Sequence, residues 1–164
     1  MAPIGLHRAG LSGPHWTDDS TVSIDRRPMQ TGCMSYDDAG SLDDAFRNTV
    51  VRVDVDGESL VFDPLEAPFE LPWVGPVHVI TAWNPGRFAS AHDNERRNRE
   101  LEGALVAGGH DYFDAVGRAR DGQWEERGFA VLGADRTWAV ELGRRFGQLA
   151  IFELTTEGLR VLPC

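Results

Sequence analysis

The chain has 164 residues, of which 41% are hydrophobic and 26% charged, and this is the size and balance of one ordinary globular domain. The formal net charge of −10, from 26 acidic and 16 basic residues, argues against a general binder of nucleic-acid backbones, which needs a basic face. No apolar run approaches the roughly 18–20 residues that cross a bilayer, so we expect no membrane span.

Residues 1–44 are predicted to be a poorly ordered leader. Segments such as GLSGPHWTDDS and SYDDAGSLDD are rich in Gly, Ser, Thr and Asp and show neither strand nor helix periodicity. Met34 would serve as a natural start, so residues 1–33 are interpreted as an upstream extension or a tail. The first residues also lack the basic and apolar blocks of a secretory signal, which favours a cytoplasmic, bacterial protein.

Residues 45–164 are predicted to form a single domain that begins with three strands. TVVRVDV alternates apolar and polar residues from residue 49, DG at 56–57 signals a hairpin turn, and SLVFDP is expected to return as the partner strand. A connection with three prolines follows. VHVITAW, at 77–83, is apolar on both faces, which is typical of a central strand covered on both sides.

A helix is predicted after this strand. Ser90 and Asp93 have the spacing of a capping box at its start, and two glycines at 108–109 end it. Asn94, with Arg97 or Asn98, extends a stripe of two leucines on this helix, so the Asn94 side chain is expected on the buried side. A solvated face linked by ion pairs is also predicted, because acidic residues alternate with three arginines: Arg96, Arg97 and Arg99.

Two strands, a second helix and two further strands are predicted in the rest of the domain. HDYFDAVGRA and RGFAVLG have the pattern of strands, Asp135 is expected to cap a helix that Gly147 ends, and LAIFEL and LRVLP flank a closing turn. The predicted order is β-β-β-α-β-β-α-β-β. Because hairpins dominate this order, we expect an α+β fold, with a mostly antiparallel sheet covered on one face by the two helices.

The junction after the third predicted strand carries polar residues that packing alone does not require. Thr81 ends the buried strand, Asn84 begins a turn, and Asn94 lies one helical turn beyond Ser90. A strand end followed by a helix start leaves free backbone N–H groups, which favours a site for an anion or a carbonyl. The alternative interpretation is structural: Asn84 caps its own turn, and Asn94 ties the connection to the helix.

Several motifs recur along the domain: ITAWNP, then Ser90, Asn94, Leu101 and Leu105, then WEERGFAVLG and RRFGQLAIF. Together they resemble the bacterial domain of unknown function 3293 family over roughly residues 45–160. That family has no assigned activity, so the resemblance implies domain limits and supplies no chemistry. It also implies that seven residues belong to a shared pattern: Thr81, Asn84, Pro85, Ser90, Asn94, Glu126 and Gln148.

Glu126 and Gln148 share an unusual position, because each stands at the edge of an apolar strand, as Asn84 does. If these strands are neighbours, their polar side chains converge on one rim of the sheet. A set of amides with one carboxylate suits a heterocycle or an amide, since each group donates or accepts in a fixed direction. We therefore predict a small-ligand site, for a nucleotide-like or amide-bearing molecule, formed by five residues: Thr81, Asn84, Asn94, Glu126 and Gln148.

Two other functions stay open from the sequence. A non-enzymatic interaction module would use the polar motif only structurally and would bind a protein, or a second copy, through the strand edge near 49–63. Hydrolase or transferase chemistry with Glu126 as base needs a nucleophile or a metal that the sequence does not show. The histidines form no HxH, HxxxH or HExxH motif and every basic residue is Arg, so we expect no metal, no cofactor and no catalytic Lys.

Overall fold

A computed structural model describes residues 47–85, 88–122 and 124–164. Within these ranges the chain forms seven strands and two helices. The strands are β1 (Thr49–Val55), β2 (Glu58–Phe62), β3 (Val77–Thr81), β4 (Tyr112–Ala119), β5 (Glu125–Leu132), β6 (Ala150–Thr155) and β7 (Gly158–Pro163), and the helices are α1 (Ala91–Gly108) and α2 (Arg136–Arg145). The predicted order of elements is confirmed, and the predicted leader, 1–44, lies outside the described residues.

All seven strands belong to one curled sheet with the order β2-β1-β4-β5-β3-β6-β7. Every pairing between neighbours is antiparallel, so the predicted antiparallel sheet and the α+β fold class are confirmed. β3 lies between β5 and β6 and four of its five residues are buried, as its continuous apolar pattern predicts. β2 and β7 are the two edges of the sheet.

Both helices begin at side-chain caps that the sequence predicts. The Ser90 hydroxyl accepts a hydrogen bond from the Asp93 backbone N–H at 3.1 Å, and the Asp135 carboxylate accepts from Thr137 N–H at 2.8 Å. α1 ends at Gly109, whose φ of 70° is the left-handed conformation that glycine adopts without strain. Neither helix of the described ranges is long and apolar enough to cross a membrane.

Two buried hydrophobic clusters contact the sheet. The first joins Ile80 of β3 to Leu101 of α1 and Leu142 of α2, so both helices contribute to it. The second contains Val77 and Val79, and it is closed by aromatic side chains of the 63–76 connection. Because side chains alternate along a strand, Ile80 and its neighbour Val79 point to opposite faces of the sheet, one into each cluster.

The ends of several strands differ from the predicted ones, and two of these ends lie at the predicted site. β3 stops at Thr81, two residues earlier than predicted, because the chain leaves the sheet through a turn at Trp83 and Asn84. β5 starts at Glu125, two residues earlier than predicted, because its first residues pair with Gly117 and Arg118 of β4 in a long hairpin. Glu126 therefore lies inside a strand, whereas the apolar pattern alone places it before one.

Candidate functional site at the end of strand β3

The segment that leaves β3 is held by the Thr81 side chain. The Thr81 hydroxyl donates to the Arg127 carbonyl oxygen of β5 at 2.7 Å and accepts from the Trp83 backbone N–H at 3.0 Å. The chain then turns at Asn84, whose φ of 48° lies in the left-handed region where Asn is tolerated better than other non-glycine residues. A polar side chain at position 81 thus replaces ladder hydrogen bonds just where the strand ends.

Asn84 and Asn94 form a reciprocal clasp between this turn and helix α1. The Asn84 backbone N–H donates to Asn94 Oδ1 at 2.9 Å, and Asn94 Nδ2 donates to Asn84 Oδ1 at 3.1 Å. Asn84 Oδ1 also accepts from the Ala89 backbone N–H at 3.1 Å. Asn94 is only 4% exposed, so the expected burial of this side chain is confirmed, and its amide finds the partners that burial demands.

Glu126 adds the carboxyl group of the cluster. Asn84 Nδ2 donates to Glu126 Oε1 at 2.9 Å, which connects strand β5 to the turn and, through Asn84, to α1. Burial raises the pKa of Glu126 above its ordinary value, and the hydrogen bond from Asn84 offsets this only in part. A carboxyl group in such surroundings favours its neutral form, in which it both donates and accepts hydrogen bonds.

Gln148 reaches the same segment from the other side. Its Nε2 donates to the Trp83 carbonyl oxygen at 2.9 Å. The pairs Thr81–Gly128 and Val79–Phe152 fix the registers of β3 with β5 and with β6. Extending both registers to residue 83 places Trp83 opposite Glu126 on one side and opposite Gln148 on the other.

The structure therefore brings all five predicted site residues to one end of the sheet. The side chains of Thr81, Asn84 and Asn94 form hydrogen bonds with one another or with backbone groups. Glu126 uses one carboxylate oxygen and Gln148 its amide nitrogen on this cluster, so Glu126 retains Oε2 and Gln148 retains Oε1. The convergence is a finding, and a role of these residues in ligand binding stays a prediction.

The turn and the end of α2 also pack closely against each other. Gly147, with a φ of 75°, faces Pro85 so tightly that an added Cβ would lie 2.9 Å from Pro85 Cβ. Both the backbone conformation and the space favour glycine at this position. This contact gives a physical reason why the NP and FGQ motifs occur in the same domain.

Arg97 belongs to the cluster, and its assignment to a solvated helix face is wrong. Its Nε donates to the Ala82 carbonyl oxygen at 3.0 Å and its Nη2 to the Phe146 carbonyl oxygen at 2.5 Å. The spacing gives a usable signal, because position 97 lies three residues beyond Asn94 on the way to the buried Leu101. Arg96, in contrast, forms the predicted ion pair with Glu100 across one turn at 2.6 Å.

Two buried polar atoms beside the cluster have no hydrogen-bond partner among the described residues. They are the indole nitrogen of Trp83 and Oδ1 of Asn98. Buried donors and acceptors are almost always paired, so an unpaired one next to a polar cluster points to a partner outside the described residues. The sequence does not predict that either atom lacks a hydrogen-bond partner, because this depends on how the turn and the helix pack.

The described residues also line an open cavity of about 310 Å³ elsewhere, between the 63–76 connection and strands β6 and β7. None of the five predicted site residues lines it. In the part of the chain that the structure describes, no group of three His, Cys, Asp or Glu side chains is placed to hold a metal ion.

Comparison with known proteins returns one family. Residues 80–151 match the family described as "Protein of unknown function (DUF3293)", a range that starts in β3 and ends in β6 and includes all five predicted site residues. No curated protein and no solved structure matches the chain. The matched segment confirms the resemblance drawn from the motifs, and residues 80–151 are similar to the domain of unknown function 3293 family.

Proposed function

We propose that the end of strand β3 binds a small molecule with a hydrogen-bonding edge, such as a nucleobase or a primary amide. The observation that carries this proposal is the indole N–H of Trp83, which is buried without an acceptor among the described residues. Leaving such a donor unpaired costs about 1–3 kcal/mol, so a ligand that accepts its hydrogen bond gives a reason for its presence.

The five residues divide into two groups under this proposal. Thr81, Asn84 and Asn94 are the scaffold, because their hydrogen bonds close on one another and on the backbone. Glu126 and Gln148 contact the ligand, since each retains an oxygen that the scaffold does not use. Trp83 lies between these two residues and contributes the unpaired donor.

The chemistry of the two ligand-facing side chains favours a flat polar ligand. The raised pKa of Glu126, caused by burial, favours a neutral carboxyl that donates and accepts at once, and Gln148 adds an amide oxygen. Nucleobases and nicotinamide-like amides present matching donor and acceptor edges.

A thermal-shift titration of the full-length protein with adenine, cytosine, uracil and nicotinamide tests this proposal. At least one probe should raise the melting temperature, because a ligand that binds only the folded state stabilises it. The response should disappear in Glu126→Ala and in Gln148→Ala. The thermal-shift response should remain in Glu125→Ala. This is a matched control, because Glu125 is the neighbour of Glu126 in β5 and its carboxylate is exposed.

The melting temperatures of the free variants provide the second readout. Glu126→Ala should melt at or above the wild-type temperature, because it removes a carboxyl group whose burial opposes ionisation. A wild-type protein that responds to none of the four probes would show that the cluster serves the fold alone, and the proposal would then be wrong.

The second candidate is a non-enzymatic interaction module in which the cluster is structural. It is favoured by the closed hydrogen bonds of Thr81, Asn84 and Asn94, which together with Arg97 would hold both helices over one face of the sheet. Binding would then use the edge strand β2, where Val61 is 54% exposed. Sedimentation velocity tests self-association: a dimer that Val61→Lys abolishes supports this candidate, and a persistent monomer opposes it.

A further inference from the structure

A buried histidine and a buried glutamate lie side by side near the start of α2. His78 of β3 and Glu153 of β6 are paired in register, and their side chains are 1% and 2% exposed. His78 Nε2 lies 3.4 Å from Glu153 Oε1, which is longer than an ordinary hydrogen bond. Among the described residues, neither ring nitrogen of His78 has a hydrogen-bond partner. The imidazole is therefore placed beside a carboxylate that it does not yet bind.

The Glu153 carboxylate is held instead by Arg136, the first residue of α2. Arg136 Nε donates to Oε1 at 2.9 Å and Nη2 donates to Oε2 at 2.7 Å, so the guanidinium group engages both oxygens. The Arg136 side chain is 58% exposed, whereas that of His78 is almost completely buried. Glu153 Oε1 thus has two neighbouring donor groups, one at the surface and one in the core.

Charged groups from two elements face His78. Glu153 of β6 favours the protonated imidazole, Arg136 of α2 disfavours it, and Asp135 at the N-cap of α2 favours it to a smaller extent than Glu153 does. β5, the other neighbour of β3, places the apolar Val131 opposite His78. Burial has the largest effect and lowers the pKa of His78 below 6.5, so the imidazole is neutral at about pH 7.

Glu153 stays ionised in the pH range where His78 begins to take up a proton. Burial raises the pKa of Glu153, but the hydrogen bonds and charge of Arg136, with His78, outweigh this effect and keep the pKa below 4.5. As pH falls from 6.5 toward 4.5, a proton from solvent therefore meets a neutral imidazole beside an ionised carboxylate.

Protonation of His78 changes which of the two donors needs Glu153 more. A buried imidazolium is not hydrated, so it is costly without a counter-ion, and Glu153 Oε1 is the acceptor beside it. Arg136 is more than half exposed and regains water when it leaves, and ion pairs with exposed partners contribute little. Because Arg136 and Glu153 both line the open cavity, water can replace Arg136 at Oε2. These differences favour the imidazolium.

We propose that acid transfers the Glu153 carboxylate from Arg136 to His78, and that this exchange releases the first residue of α2 from β6. The His78 Nε2–H then donates to Glu153 Oε1, and the Arg136 guanidinium group becomes hydrated. The exchange also changes one wall of the open cavity, which both Arg136 and Glu153 line. The fold thus contains a pH-sensitive contact near the start of β3, whereas the polar cluster lies at the end of this strand.

An NMR titration of the full-length, isotope-labelled protein from about pH 7.5 to about pH 4.5 tests this proposal. The Arg136 Nε–H resonance should move toward that of a free arginine with the same midpoint as the His78 ring protons, below pH 6.5. Arg97 Nε–H is the matched control, because it donates to the Ala82 carbonyl oxygen, which does not titrate, at 3.0 Å. Exchange of the Arg136 proton with water, relative to that of Arg97, should increase at least about tenfold, since a charge-assisted hydrogen bond is lost.

Two variants test the cause of the exchange. In His78→Gln, which does not take up a proton, the Arg136 resonance should keep its hydrogen-bonded position throughout the titration. Arg136→Gln removes a positive charge near His78, so the His78 midpoint should move to higher pH. Because Arg136 is exposed, this variant should keep the wild-type circular dichroism spectrum.

The wild-type titration decides the matter even if His78→Gln does not fold. The proposal is overturned if Arg136 Nε–H stays protected from exchange while His78 is protonated, or if the protein unfolds before His78 takes up its proton. It is also overturned if the Arg136 resonance moves in His78→Gln as it does in the wild type, or if Arg136→Gln leaves the His78 midpoint unchanged.

Discussion

At the scale of single residues, the hydrogen bonds between Asn84 and Asn94 replace the strand pairing that the chain loses after β3. β3 has already ended at Thr81, so the Asn84 backbone N–H has no strand partner and donates to Asn94 Oδ1 instead. Asn94 Nδ2 in turn donates to Asn84 Oδ1. An amide side chain suits this position because it carries a donor and an acceptor at a fixed separation.

Asn94→Ala should lower the free energy of unfolding by about 2–3 kcal/mol, because it leaves the Asn84 N–H without its acceptor and Asn84 Oδ1 with one donor fewer. Urea denaturation measures this loss. Asn98→Ala, one turn further along α1, is the control and should cost less than about 1 kcal/mol, since its Oδ1 has no partner to lose among the described residues. Equal losses in the two variants would contradict the clasp.

Glu126 gives a prediction with a defined pH dependence. Burial raises its folded-state pKa above 4.5, so the folded protein holds this proton more tightly than the unfolded chain. Its contribution to stability is therefore greatest at low pH and is lost as pH rises through the folded pKa. Glu126→Gln does not titrate and keeps an acceptor for Asn84, so its stability relative to wild type should rise as pH increases from about 4.5 through the folded pKa of Glu126. A difference that is constant with pH would refute the shift.

At the scale of elements, Arg97 links the two helices to the sheet. Its guanidinium group binds the Ala82 carbonyl oxygen just after β3 and the Phe146 carbonyl oxygen just after α2. Both oxygens lie at the ends of elements, where backbone carbonyls lose their regular partners. One side chain on α1 thus connects the end of β3, α1 and the end of α2.

Arg97→Ala should lower the free energy of unfolding by about 2–3 kcal/mol, because two carbonyl oxygens lose a charged donor. In chemical denaturation, the free energy of unfolding of Arg97→Lys should lie between those of Arg97→Ala and the wild type. An ammonium group cannot reproduce the two directed hydrogen bonds of the guanidinium group. Arg96→Ala, which removes only an exposed pair with Glu100, should cost less than about 1 kcal/mol. A similar loss in Arg96→Ala and Arg97→Ala would show that the carbonyl contacts contribute nothing.

β5 approaches β3 so closely at Gly128 that an added Cβ would lie 2.3 Å from the Ile80 carbonyl oxygen. Gly128→Ala should therefore separate the central strands and cost about 3 kcal/mol or more. Gly117→Ala is the matched control on β4, where the added Cβ meets only Thr49 Cγ2 at 3.6 Å. It should change stability by less than about 1 kcal/mol in thermal denaturation. A tolerated Gly128→Ala would exclude so close an approach.

The elements were largely predictable from the sequence, and the contacts between them only in part. Periodicity and caps such as Ser90 and Asp135 are local signals, so they located every strand and helix to within a few residues. The five polar residues are predicted because each lies at the end or edge of an apolar strand or, for Asn94, on the apolar stripe of a helix. The sequence places Arg97 both on the apolar helix stripe and among the charges of a solvated face, and packing between segments far apart in sequence decides between the two. The unpaired nitrogen of Trp83 depends on the same packing.

At the scale of the whole molecule, a buried charged group joins the sheet to α2. His78 of β3 and Glu153 of β6 are paired in register and almost fully buried, and His78 Nε2 lies 3.4 Å from Glu153 Oε1. Burial tends to raise the pKa of Glu153, but the hydrogen bonds and charge of Arg136, with His78, lower it overall. The Glu153 contribution to stability is therefore lost as pH falls below 4.5 through the folded pKa.

His78 makes the protein sensitive to acid at a higher pH than Glu153 does. Burial lowers its folded pKa below 6.5, and the nearby Glu153 carboxylate opposes this shift only in part. The unfolded chain thus takes up the His78 proton first, and stability should decrease as pH falls from about 6.5 toward the folded pKa. In urea denaturation between about pH 7 and pH 5, above the range where Glu153 responds, His78→Gln should show a shallower decrease than the wild type. Equal slopes would mean that His78 is charged in the folded protein, and the buried group would then contain two cations around one carboxylate.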